Sequence, residues 1–241
     1  KTAQVLVAAD LLACKRVLVI CPALARRNWE RETKLWSAFI PHVLENTKDY
    51  PVADFVICSY EYARKCREWL IERPWDLVVI DEMHMASNVG ASRTQAVLGV
   101  NGPCHRSERV WVLSGTPLRN HAGELWPVFA TFGVTDLSQE QWEDKYCRIE
   151  TYQGRRRITG TKLAGLDELR DLVENSKVCL RRRKREVLKD LPPVLDSQVT
   201  VEPPKRLDLM SFKSLTRHAD SLPALKDMIA QGLNELGRLL E

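Results

Sequence analysis

Two adjacent carboxylates, Asp81 and Glu82, close an apolar run, and a histidine, His84, follows two places on. A strand that ends in Asp-Glu sets two acids at one edge of a sheet. An aspartate there can hold a divalent cation, directly or through water, beside a nucleotide phosphate. The neighbouring glutamate can orient or deprotonate an attacking water. Taken alone, the pair reads better as a solvated acidic turn. Two other stretches carry related chemistry. The chain opens on Lys1-Thr2 ahead of an apolar helical run. In a phosphate-binding loop such a pair gives its lysine to the β and γ phosphates and its hydroxyl to Mg²⁺. The segment LSGTPLRN, residues 113–120, follows another apolar run. Gly115 and Pro117 make a tight loop of it, and Ser114 and Thr116 offer hydroxyls. Three signals in this order point to nucleotide hydrolysis.

These residues need a scaffold that brings strand ends together. Four runs, RVLVIC (16–21), DFVICS (54–59), WDLVVID (75–81) and RVWVLSG (109–115), are rich in Val and Ile and do not alternate. Strands buried on both faces of a parallel sheet read this way. Helical patterns lie between them. Residues 25–39 place Trp29, Leu35 and Trp36 on one side, and residues 60–72 do the same with Tyr62, Cys66, Trp69 and Leu70. The alternation predicts right-handed βαβ units and an α/β fold with a doubly wound, mostly parallel sheet. Ligands of such sheets bind beyond the carboxyl ends of the strands, where all three signals sit. After about residue 133 the pattern changes. Residues 137–149 read as a helix capped by Ser138 with Glu140 and Gln141 in its first turn. TYQGRRRITG reads as a hairpin turning near Gln153-Gly154, and LDELRDLVENSKVCL as another helix. Pro192-Pro193 and Pro203-Pro204 bracket the extended piece LDSQVTVE, and a helical stretch follows.

Composition narrows the class. With 241 residues, 44% hydrophobic and 28% charged, the chain can bury one large core or two modest ones. No stretch approaches the roughly 20 apolar residues of a membrane span, and the first residues do not read as a signal peptide. The seven cysteines are scattered and include no C-x-x-C pair, so neither a disulfide framework nor a zinc site is expected. A reducing, intracellular compartment follows. Net charge is only +4, but residues 153–162 and 180–189 hold most of the local excess. One such run reads as solvated surface; two in one chain suggest a polyanion. Arg155, Arg156 and Arg157, on a hairpin with little core to serve, are candidates for it. Arg181, Arg182 and Lys184 either bind the same polyanion or pin their segment to acidic groups of the domain.

Together the motifs resemble the first RecA-like lobe of superfamily-two helicases, specifically the Swi/Snf-type DNA translocases. Lys1-Thr2-Ala3-Gln4 looks like the end of motif I, CPALARRNWERE (21–32) is similar to motif Ia, and ICSYEYAR (57–64) resembles the Thr-Tyr-Glu segment with Ser59 in place of threonine. DEMH followed by Ser87-Asn88 resembles motif II, with Ser87 where lysine is usual. SGTPLRN with Glu124-Leu125-Trp126 resembles motif III, with Arg119 where glutamine is commoner. CLRRRKREVLKDLPP (179–193) is close to an arginine-rich signature that general helicases lack, and the hairpin region resembles the HARP-type annealing-helicase branch.

The resemblance implies an ATP site of the P-loop type. Lys1, Thr2 and Gln4 would contact the nucleotide, Thr2 and Asp81 would hold Mg²⁺ (the aspartate through water), and Glu82 would activate the hydrolytic water. His84 with Ser114, Gly115 and Thr116 would couple hydrolysis to lobe movement, and Ser59 and Tyr60 would face the DNA backbone. The implied partners are double-stranded or branched DNA and a second RecA-like lobe, with no membrane and no zinc, in the nucleus of a eukaryote or the cytoplasm of a prokaryote or virus. The expected organisation is an ATP-binding core (1–135), a helix-hairpin-helix insertion (136–178), a returning arginine-rich segment and strand (179–204) and a helical linker (205–241). Without its second lobe the chain is expected to hydrolyse ATP negligibly. Another superfamily-two motor, or a module derived from one that binds DNA or protein without catalysis, remains open.

Overall fold

The computed structural model describes residues 1–47, 50–152, 154–175 and 179–180, all within the compact unit Lys1–Arg181. The arginine-rich segment from 181 onwards, the extended piece 195–202 and the linker 205–241 lie outside the described residues.

Helix α1 (Thr2–Leu11) leads into β1 (Val17–Cys21); α2 (Arg26–Trp36) follows, then β2 (Pro41–Val43) and β3 (Phe55–Ser59). Next come α3 (Tyr60–Lys65), α4 (Arg67–Glu72), β4 (Leu77–Ile80), α5 (Ser92–Leu98) and β5 (Arg109–Val112). The five strands pair in the order β2-β3-β1-β4-β5, every pair parallel. Alternate residues face opposite sides, as the pleat requires. Val17, Val19 and Cys21 of β1, Phe55 and Ile57 of β3, and Leu77 and Val79 of β4 pack beneath α1 and α2 with Leu6 and Trp29. Leu18, Ile20, Val56, Cys58, Val78 and Ile80 pack on the other face with Tyr60, Leu70 and Val97. Both faces are therefore dry, which is why β1, β3 and β4 read as unbroken apolar runs. Each fully buried Val, Leu or Ile contributes about 1.5–3 kcal/mol before the chain entropy is subtracted.

Four departures from the sequence-based expectation have local causes. β5 is only half-buried throughout, because it is the last strand of the described sheet. The short strand β2 opens on Pro41 and lies at the other edge, where a missing amide costs no ladder bond. In α2 the buried stripe is Trp29 and Thr33, not Leu35 and Trp36, which are 66% and 51% exposed. Thr33 tolerates burial by donating to the Trp29 carbonyl at 2.7 Å, and the Trp36 indole stays outside on Glu32 Oε2 at 2.9 Å. The helix expected over 60–72 is two, bent at Cys66 (φ −105°, ψ 23°), with Tyr60, Ala63, Cys66 and Leu70 buried.

Beyond β5, α6 (Trp126–Thr131) and α7 (Gln139–Tyr146) lead to the antiparallel pair β6 (Cys147–Tyr152) and β7 (Arg155–Thr161), then α8 (Leu166–Asn175). Ser138 caps α7 as the sequence suggests, in a reciprocal box with Gln141. Gly154 turns the hairpin at φ +73°, a left-handed conformation that favours glycine. Trp142, fully buried, donates to the Ala122 carbonyl at 2.9 Å and packs on Phe129 and Tyr146, joining this region to the core. Among the described residues no helix is long and apolar enough to cross a membrane, and none of the cysteines is in a disulfide.

Candidate functional site

The backbone itself fixes the acidic pair. Asp81 N donates to Ile20 O at 2.8 Å, extending the β1–β4 ladder one residue past the strand end. Leu113 N donates to Ile80 O at 2.7 Å, and Met83 N to Leu113 O at 3.0 Å. Residues 80–83 are thus stitched between the ends of β1 and β5, which brings two of the three sequence signals to one edge.

Glu82 sits in the left-handed region, φ 54° and ψ 63°. For a residue with a Cβ this costs about 1–2 kcal/mol, so something must hold it. The Tyr60 hydroxyl does so, donating to Asp81 O at 2.8 Å with Glu82 O at 3.4 Å, from one face of the sheet. From the other face the Trp29 indole donates to Asp81 Oδ2 at 2.9 Å, while Glu82 N donates to Oδ1 at 3.0 Å. Burial, with the Asp81 charge beside it, raises the Tyr60 hydroxyl pKa, and the same two causes push Cys21 up to about 12. Both stay protonated. His84 Nδ1 lies 3.2 Å from Glu82 Oε2 but is not aligned for a hydrogen bond, and it is buried without a partner.

The loop after β5 faces this pair. Ser114 Oγ accepts from Thr116 N at 3.1 Å, and a Cβ on Gly115 would stand 3.4 Å from Lys1 Nζ. That close approach joins the third signal, Lys1-Thr2 at the start of α1, to the 113–120 loop. Gln4 instead lines a shallow groove with Val7, Leu11 and Trp36. The far half of the loop is clamped by Glu124, a buried carboxylate to which the motif resemblance gives no task. Its Oε2 accepts from Arg119 N at 3.0 Å and Asn120 N at 3.1 Å, and its Oε1 from Asn120 Nδ2 at 2.6 Å. Burial alone would raise its pKa; the Asn120 and Arg119 hydrogen bonds outweigh it and hold the group below the ordinary glutamate value.

Among the described residues no group of three or more His, Cys, Asp and Glu could hold a metal. One carboxylate with its rotamer fixed by two donors instead suits a cation carried mainly by phosphates and water. Asp81 retains acceptor capacity on each oxygen after those two bonds.

Two nucleic-acid candidates have inward-facing side chains. Ser59 is buried and its hydroxyl caps α3, accepting from Tyr62 N at 3.2 Å. Tyr60 is buried against the Asp81-Glu82 turn. Neither side chain is free to meet a DNA backbone. The three hairpin arginines are exposed but not equivalent. Arg156 pairs with Glu140 at 2.9 Å and Asp144 at 2.6 Å on α7, on the face where Ile149 and Ile158 pack inward. Arg155 and Arg157 stand opposite Tyr152 and Glu150 on the other face, with no ion-pair partner within 4 Å among the described residues.

A parallel sheet covered by helices on both faces, with an acid pair and a hydroxyl loop at its carboxyl edge, defines a doubly wound α/β lobe of the kind that binds ligands beyond its strand ends. Residues 8–228 match the SNF2-related domain model, and the chain belongs to that family. It is 29% identical over 224 residues to the TATA-binding protein-associated factor mot1 of Aspergillus fumigatus, covering 88% of this chain and 11% of that protein. It is 27% identical over 193 residues to the human helicase-like transcription factor, covering 74% of this chain and 18% of that one. The SWI2/SNF2 ATPase core of Sulfolobus solfataricus, solved with double-stranded DNA, has the same fold: TM-score 0.60 at 22% identity, over 98% of this chain and 50% of that core. The chain thus spans a small part of these curated relatives and half of the solved core.

Proposed function

We propose that the chain is the ATP-binding lobe of a motor that couples Mg-ATP hydrolysis to movement on double-stranded DNA, working with a second lobe. The observation that carries this reading is the convergence of Lys1, the Asp81-Glu82 pair and the Ser114-Gly115-Thr116 loop at one carboxyl edge of a parallel sheet. The family and the DNA-bound Sulfolobus core support it. ATP with its Mg²⁺ supplies a polarised γ-phosphate. Lys1 would neutralise charge on the phosphates, Thr2 and Asp81 would hold the hydrated cation, and Glu82 would take a proton from the attacking water. His84, half-buried with its Nδ1 3.2 Å from Glu82 Oε2, and the 113–120 loop, bonded to Met83, would pass a change at the γ-phosphate outward. Residues 1–135 form the nucleotide core, 136–178 an insertion that presents Arg155 and Arg157 to DNA, and 179–241 the return and link towards the second lobe. In a eukaryote it would work in the nucleus.

The test is Glu82→Gln in the protein with both lobes. Mg-ATP binding persists while duplex-stimulated hydrolysis falls by about 10²–10⁴, the usual worth of a general base. An unchanged rate, or equal stimulation by RNA, overturns the proposal.

A further inference from the structure

The acidic pair is gripped from both faces of the sheet by aromatic side chains that belong to no recognised catalytic set. Trp29, 1% exposed, sits in the layer beneath α1 and α2 and gives its only polar hydrogen to Asp81 Oδ2. Tyr60, 3% exposed, sits in the opposite layer and gives its hydroxyl to the carbonyls that flank the left-handed turn at Glu82. A buried tryptophan usually satisfies its N–H on a main-chain carbonyl, as Trp75 does on Leu70 O and Trp142 on Ala122 O. Trp29 spends it on a half-buried carboxylate.

We propose that Trp29 and Tyr60 are positioning residues for the cation: Trp29 fixes the rotamer and the remaining lone pairs of Asp81, and Tyr60 holds the turn that aims Glu82. This rests on the nucleotide-site reading above. An aspartate with one oxygen on its neighbour's amide and the other on a rigid indole has its rotamer fixed, and with it the directions of the lone pairs left on each oxygen for a hydrated cation. Removing the indole N–H frees rotation about the Asp81 side chain. Removing the Tyr60 hydroxyl takes the side-chain donor from Asp81 O at the strained turn, while Glu82 O keeps Met85 N at 2.9 Å. Outer partners of this kind are worth about 10–100-fold in metal affinity elsewhere.

The experiment uses Mn²⁺ as a paramagnetic stand-in for Mg²⁺, with ADP, and reads metal affinity from water-proton relaxation. Wild type, Trp29→Phe, Tyr60→Phe and Asp81→Asn are each measured well below their own melting midpoints. Trp29→Phe is expected to weaken Mn²⁺ binding about tenfold, and Tyr60→Phe by a smaller factor, with ADP affinity in EDTA unchanged within about twofold. In the ¹⁵N-tryptophan-labelled protein one indole resonance, absent from Trp29→Phe, broadens selectively with Mn²⁺ and shifts in Asp81→Asn. Unaltered Mn²⁺ affinity in both aromatic variants, or an equal loss in EDTA, overturns the positioning role. If Asp81→Asn itself leaves Mn²⁺ affinity intact, the cation-site reading falls first. Tyr60→Phe, nearly isosteric, keeps the test open should Trp29→Phe unfold.

Discussion

Replacing Glu124 by glutamine keeps the shape of the clamp on the 113–120 loop and removes its charge. The carboxylate accepts three hydrogen bonds, from Arg119 N, Asn120 N and Asn120 Nδ2. Hydrogen bonds to a charged group are worth about 1.5–3 kcal/mol net and neutral ones about 0.5–1.5. The donors belong to an exposed loop that water can reach, so the loss for Glu124→Gln is about 1–2 kcal/mol at pH 7. For a unit of this size that lowers the melting midpoint by roughly 2–8 °C. The sign of the pH dependence follows from the depressed pKa, in which the Asn120 and Arg119 hydrogen bonds outweigh burial. A group ionised more readily folded than unfolded contributes stability above its unfolded value, about 4.3, and loses it as pH falls through the folded one. Glutamine does not titrate. The gap between wild type and Glu124→Gln is therefore constant from pH 8 to about 5 and closes in more acid solution. Urea unfolding across that range measures it. A gap of the same size at every pH, or none at pH 7, refutes the clamp.

Asp76 plays the same part at the opposite edge of the sheet, where Oδ2 accepts from Lys15 N at 2.6 Å and Arg16 N at 2.9 Å. Burial opposes its ionisation but the Arg16 and Lys15 hydrogen bonds win, so Asp76→Asn costs about 1–2 kcal/mol in urea unfolding at neutral pH and less in acid. Trp142→Ala, which empties a site fully enclosed by Phe129 and Tyr146, costs about 3–5 kcal/mol and lowers the midpoint of thermal unfolding accordingly. Alanine at Arg155 or Arg157 lowers the salt slope of duplex binding by about 0.9 for each phosphate no longer neutralised. Alanine at Arg156 leaves that slope unchanged and instead speeds amide exchange in β6 and β7.

Four of the five strands were legible: β1, β3 and β4 because a strand dry on both faces admits only apolar residues, and Val, Leu and Ile fill 17–20, 56–57 and 78–80, and β5 from the same kind of run at 109–112. The ends of those strands were legible too, since Asp81-Glu82 and Ser114-Gly115 break an apolar run where the chain must leave the sheet. What could not be read is what each side chain meets. Ser59 and Tyr60 were expected at the DNA backbone only because the motif resemblance implies it. Yet a serine there is equally an N-cap, and the tyrosine had room to turn inward beside Asp81. The stripe on α2 misled because helical spacing shows which residues share a face but not how wide a layer covers it; here the cover reaches Trp29 and Thr33 and stops.

The hairpin shows the same limit turned to use. Three consecutive arginines carry one label in the sequence, but a strand has two faces, and α7 lies against only one. The Glu140 and Asp144 carboxylates, four residues apart on α7, reach Arg156 together and neutralise it. Arg155 and Arg157 point away from both. An anion approaching that other face meets Arg155 and Arg157, while Arg156 fastens the strand to α7 from behind. Reversing Arg156 to glutamate should therefore weaken duplex binding through the hairpin's position more than through its charge. Restoring the pair with lysines at 140 and 144 should recover most of the loss, and a failure to recover it would place Arg156 on the DNA after all.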